Sequence, residues 1–191
     1  MDSDGEDNPF EIRKMLKEAQ SFEDCVITSN RKKREESFLI ILFYKIHLII
    51  SFLFSYHWIT FGNFTTFNSK NLSLILSNNS SWYAHSSSII KNCKIKKTFA
   101  KREKRYHDKS KLGFLSLVEH SLRINTVFFE RIFFSSLIYS SLIFLIGDSK
   151  ISYFLICLIL IYNIILLIVK KKHYIKNFSN ISDFIKRIKS I

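Results

Sequence analysis

Residues Ile151–Val169 form a run of 19 residues without a charge, closed by Lys170-Lys171-Lys172. A run of this length and composition meets the criterion for a transmembrane helix, which takes roughly 20 apolar residues. A soluble core helix would keep one polar face toward water. Here only Ser152, Tyr153, Tyr162 and Asn163 soften the apolar surround. Upstream, Ile132–Ile146 is apolar or hydroxylated, and Gly147-Asp148-Ser149-Lys150 reads as a polar turn. Together the two runs predict a C-terminal transmembrane hairpin over 132–169, or a shallower wedge if the shorter run fails to span.

A further hydrophobic segment covers 37–61, beginning in earnest at Phe38. Lys45 and His47 interrupt its middle. A central lysine costs about 2.5–3.5 kcal/mol on insertion scales, against about 0.3–0.6 returned by each Leu, Ile or Phe. The segment therefore reads either as transmembrane or as re-entrant. Snorkelling of Lys45 to an interface explains it more simply than ion transport does.

Apolar runs coexist with 29 Lys and Arg against 16 Asp and Glu, a net charge of +13. The two kinds of residue are segregated along the chain. Four glycines and one proline supply poor turn chemistry for a β or compact α/β fold. The expected class is thus an all-α membrane protein: two or three hydrophobic helical segments, the C-terminal hairpin, and flanking amphipathic helices. Cys25, Cys93 and Cys157 are an odd set without CxxC spacing, which argues against a disulfide framework or a zinc site.

Residues 1–36 read as an acidic-then-basic cytosolic arm, and its start, Met1–Asn8, is unlike a secretory signal or presequence. Asn8-Pro9-Phe10-Glu11 suggests a helix start, with Asn8 as N-cap and Glu11 closing a capping box. Ile12, Met15, Leu16, Ala19, Phe22 and Val26 then recur at helical spacing. Residues 62–131 read as a polar and basic loop: Ser/Asn-rich to residue 90, lysine-rich over 91–111, with a mixed helix over 114–131. In 170–191, Tyr174, Phe178, Ile181, Phe184, Ile185 and Ile188 share one face of a basic amphipathic tail. This order of hairpin, polar regions and terminal amphipathic helix resembles, in architecture and without a shared residue motif, reticulon-type membrane-shaping proteins.

Positive residues flank every hydrophobic segment, and such residues favour the cytosolic side. The candidate contacts to anionic lipid headgroups are Lys94, Lys96, Lys97, Lys101, Arg102, Lys104, Arg105, Lys170, Lys171 and Lys172. Each basic group near an anionic surface contributes about 1 kcal/mol. Only Phe99 and Tyr106 interleave with the charge of 91–111, so specific nucleic-acid binding is not expected. Asn8-Pro9-Phe10 in its acidic context is similar to the NPF tripeptide bound by EH domains of endocytic adaptors, a candidate protein-partner motif. Asn63-Phe64-Thr65, Asn71-Leu72-Ser73, Asn78-Asn79-Ser80 and Asn79-Ser80-Ser81 have the form of glycosylation acceptors and so probe topology.

Glu119, His120 and Glu130 stand outside any HExxH, GxSxG or phosphate-loop pattern. No catalytic residue, metal ligand or cofactor is assigned. The expectation is a small non-enzymatic integral membrane protein, a lipid-anchored scaffold or membrane organiser of an endoplasmic-reticulum-like endomembrane. The alternatives are an accessory subunit of a membrane enzyme, transporter or respiratory assembly, and a poorly constrained product of an AT-rich coding sequence. The heavy use of Phe, Ile, Lys, Asn, Ser and Tyr would suit the last.

Overall fold

The computed structural model describes residues 7–31, 38–76, 80–100, 113–147 and 149–173. The N-terminal stripe folds as a helix, α1 (Glu11–Ser21), that ends sooner than its periodicity suggests. Met15 and Ala19, four residues apart and hence on one face, are fully buried or nearly so. Leu16 and Phe22 are exposed, and Val26 belongs to a strand rather than to the helix. Asn8 does not cap the helix: its side-chain oxygen accepts the Phe10 N–H at 2.8 Å in a turn that precedes it.

That strand, β1 (Cys25–Arg31), is the centre of a three-stranded sheet with β2 (Phe61–Thr66) and β3 (Lys94–Ala100), in the order β2-β1-β3. The pairing is antiparallel to β2, with an irregularity between Thr28 and Asn30, and parallel to β3 from Cys25↔Lys94 to Arg31↔Ala100. Successive side chains of a strand point to opposite faces, and β1 uses both. Ile27 packs with Met15, Ala19 and Phe64 under α1, while Val26 packs with Phe61, Ile75 and Ile89 on the other side. That second side is covered by the short helices α3 (Ser69–Leu76) and α5 (His85–Asn92), and α4 (Ser80–Tyr83) packs against α5.

The expectation of an all-α chain is therefore corrected: the protein is mostly helical, but a small sheet is present. Its strands are six or seven residues long. Each is paired with a segment distant in sequence, so no hairpin turn signal announces them.

Three helices are long and apolar enough to cross a membrane among the described residues: α2 (Phe38–Ser55), and, beyond α6 (Phe114–Thr126), α7 (Phe129–Ile146) and α8 (Ser149–Lys172). Helix α2 stops at Ser55 because Tyr56 takes a left-handed φ of 60°, an uncommon conformation for a residue with a Cβ. Between α6 and α7, Phe128 departs from helical geometry (φ −103°, ψ 20°) and interrupts an otherwise near-continuous path. Helices α7 and α8 form the expected hairpin. Its antiparallel sense is fixed by Asn163 bonding Ser136 and, nearer the turn, Ser152 bonding the Ile143 carbonyl. A Cβ on Gly147 would collide with Ser152 and the Ile143 carbonyl, so glycine allows the tight closure.

Ile59, Tyr83, Ala84, Ile124, Val127, Phe128, Ile132 and Leu166 form one apolar cluster. It joins the short helices beside the sheet to the root of the hairpin, and Ile90 of α5 packs against both this cluster and the one around Val26.

Candidate functional site

The long helices invert the usual arrangement of a water-soluble bundle. In α7 the buried side chains are Ile132, Ser135 and Ser136, while Phe134, Leu137, Ile138, Phe144, Leu145 and Ile146 are exposed. In α8, Ser152 and Asn163 are buried with Leu166 and Val169, and nearly every other aliphatic residue faces outward. Only 17% of each candidate span is buried. Small and hydrogen-bonding residues thus hold the helices together and hydrocarbon covers them, which is how helices associate in lipid.

Two hydrogen-bonded groups make up this polar seam. Ser51 of α2 donates to Asn125 Oδ1 of α6 at 2.7 Å, and Asn125 Nδ2 donates to the Tyr162 hydroxyl of α8 at 2.9 Å. Three elements meet at one amide. His47 Nδ1 lies 3.3 Å from Ser51 Oγ. With the hydroxyl proton given to Asn125, that ring nitrogen acts as the donor. Farther along the hairpin, Asn163 Nδ2 donates to Ser136 Oγ and to the Ile159 carbonyl, both at 2.8 Å. Ser136 in turn donates to the Ile132 carbonyl at 2.7 Å.

A collar of ionisable groups surrounds the root of the hairpin. Arg131 Nη1 donates to the Ser55 carbonyl at 3.3 Å and to His57 Nε2 at 2.8 Å. Burial, and then the Arg131 charge, hold the His57 imidazole below its usual range, which suits its role as acceptor. Lys170 lies 5.0 Å over the Phe129 ring. Glu119 of α6 meets Lys172 at 2.8 Å and His173 at 2.9 Å. Hydrogen bonds from Lys172 and then His173, aided by their charges, pull the Glu119 carboxyl down to about 2.

The structure distributes the residues singled out from sequence. Lys94, Lys96 and Lys97 are all exposed on β3, but strand alternation sends Lys94 and Lys96 to one face and Lys97 to the other. Lys96 sits 4.4 Å over the Phe22 ring beyond α1, and its neighbour Thr98 donates to Glu18 at 3.1 Å. Lys101, Arg102, Lys104 and Arg105 lie outside the described residues, as does the predicted amphipathic tail from residue 174 onward. Lys170, Lys171 and Lys172 close α8 at the collar. Asn8 and Pro9 hold Phe10 in a turn, and Phe10 is 88% exposed. Lys45 is exposed on α2, away from the seam that His47 joins.

Ser51, Asn125, Ser136 and Asn163 escaped the sequence reading as a group. Their signal was present: Ser51 and Ser55 recur at one helical turn inside an apolar run, and Ser136 and Ser140 do so in the run that leads to the Gly147 turn. No protein-family profile, curated protein or solved structure matches the chain.

The seam predicts that Asn125→Leu, which strips both Ser51 and Tyr162 of a partner, destabilises the detergent-solubilised chain by about 1–2 kcal/mol. Titration with a denaturing detergent, followed by circular dichroism, measures this. Glu119 has a folded pKa below the ordinary 4.5. Its contribution is complete above that ordinary value and is lost as pH falls from about 4.5 toward about 2. Carboxyl NMR titration of the detergent-solubilised chain should find Glu119 below the ordinary value, and Lys172→Ala should return it toward 4.5.

Proposed function

We propose that this chain is a small non-enzymatic membrane protein that anchors its sheet at one face of a bilayer and organises lipid and protein partners there. The carrying observation is the inversion of polarity: serine and asparagine inside the α7–α8 hairpin, phenylalanine, leucine and isoleucine outside. A bilayer supplies the apolar surroundings that this outer surface requires, since water would penalise it by about 25 cal/mol for each Å² left exposed.

Charge supports the same reading. Arg131, Lys170, Lys171 and Lys172 gather at the end of the hairpin away from the Gly147 turn. Anionic headgroups are the chemical partner they suit. The hairpin enters from a cytosolic face of the endomembrane system in this proposal, following the preference of basic residues for that side. The N-terminal arm serves as the protein contact, with Phe10 offered from its Asn-Pro turn to an apolar pocket of an adaptor domain.

Extraction of native membranes with alkaline carbonate tests the anchor: the chain should stay in the pellet, and its release as a dissolved monomer would overturn the proposal. Purification in mild detergent separates the scaffold from its alternative, because a stoichiometric larger assembly favours an accessory subunit. Phe10→Ala should abolish calorimetric binding to an NPF-recognising adaptor domain and leave carbonate resistance unchanged. Equal binding by the two forms would remove the arm from the proposed role.

A further inference from the structure

Helix α2 satisfies the length and composition of a membrane crossing, yet the sheet constrains where its ends can go. Asn30 of β1 pairs with Phe61 of β2. The chain therefore leaves the sheet at Arg31, forms α2 over 38–55, and re-enters the same sheet at Phe61 on the neighbouring strand. Paired strands lie about 5 Å apart. Both ends of the excursion are thus tied to one place.

The connections are too short for that place to serve two sides of a bilayer. From Arg31 to Phe38 there are seven residue steps, which extend at most about 25 Å. From Ser55 to Phe61 there are six, at most about 22 Å. The hydrocarbon core is about 30 Å thick. With the sheet on either side, one connection would have to cross that core and falls short even when fully drawn out. The first connection also contains Lys32-Lys33-Arg34-Glu35-Glu36, five consecutive charges that no hydrocarbon layer would accommodate.

The packing of α2 agrees. Its partners advance along α6: the Phe43 and Phe114 rings are 5.0 Å apart, and Ser51 bonds Asn125. Toward its end, the Ser55 carbonyl accepts from Arg131 in the first turn of α7 and the Leu53 carbonyl from Tyr139 just past its middle. Helix α2 therefore runs beside the segment that leads into the hairpin and meets the hairpin between its root and its middle.

We infer that α2 does not cross the bilayer but lies within one leaflet, its acyl-facing side formed by Leu39, Leu42, Ile46, Ile49 and Leu53. These five side chains are exposed. Lys45 reaches from this helix to the headgroups along its own apolar stem. Trp58, in edge contact with Phe52 at 5.7 Å, follows the left-handed turn at Tyr56, where an interfacial aromatic residue belongs. The inference rests on the membrane reading above and adds to it the depth and sidedness of α2.

The test uses the full chain inserted into sealed microsomes. In a background with Cys25, Cys93 and Cys157 replaced by serine, Ser37→Cys and Asn63→Cys place single thiols before and after α2. A membrane-impermeant maleimide should label both from the same side of the membrane; labelling from opposite sides would overturn the inference. Trypsin applied to the unmodified chain gives a second measurement that needs no variant. The basic runs 31–34 and 101–105 flank α2 in sequence, and both should be cut or both protected. Cleavage of one with protection of the other overturns the inference. Release of the chain by carbonate would instead remove the membrane reading itself, so the two failures are distinct.

Discussion

A hydroxyl or amide held among hydrocarbon side chains has to find a hydrogen-bond partner, and the helical half of this protein is arranged around that requirement. Leaving such a group unpaired costs about 1–3 kcal/mol, more than the about 0.5–1.5 kcal/mol net that a made bond returns. Asn125 is the position where the requirement is met most fully. Its carbonyl and amine engage different helices, so α2, α6 and α8 are held to one another in a fixed arrangement. Aliphatic contact alone would specify this less well, since a Leu-rich surface packs acceptably in several registers. The Asn163 amine ties α8 to Ser136 of α7 in the hairpin, while its buried carbonyl oxygen is left without a partner among the described residues. The seam selects the packing partner, and the apolar exterior selects the surroundings.

Against this background the apolar helices were the part of the fold most legible in the sequence. A run such as Ile151–Val169 dictates a helix because no other backbone conformation hides its own amides without neighbours. The polar residues within these runs were visible as letters, but whether Ser51 and Asn163 face outward or inward depends on helix rotation. Composition does not encode rotation. The orientation emerges only when Asn125, from a different segment, supplies the partner.

The sheet was hidden for a different reason. Val26 continued the stripe of α1 at nearly the right spacing, and a strand of seven residues offers too few alternations to outweigh such a pattern. Lys94–Ala100 looked like a run of charge because its exposed lysines dominate the count, although Ile95 and Thr98 are turned inward. Strand pairing is a long-range property: β3 meets β1 across more than sixty residues of chain. A reading based on local periodicity has no access to it. Lys94, Lys96 and Lys97 of the candidate lipid contact are accordingly split between two faces of a sheet, whereas the lysines ending α8 are gathered at the hairpin's root with Arg131.

The return of the chain from α2 to the strand beside the one it left has a mechanical side. In the proposed arrangement an entire helix adds its cross-section to a single monolayer, whereas the α7–α8 hairpin, long enough to cross, loads both monolayers alike. The two monolayers then carry unequal area for the same protein, and a sheet of lipid relieves such a difference by bending toward the less crowded side. Strand pairing, a feature of the polar half of the molecule, would in this way set a preferred curvature for the membrane beneath it.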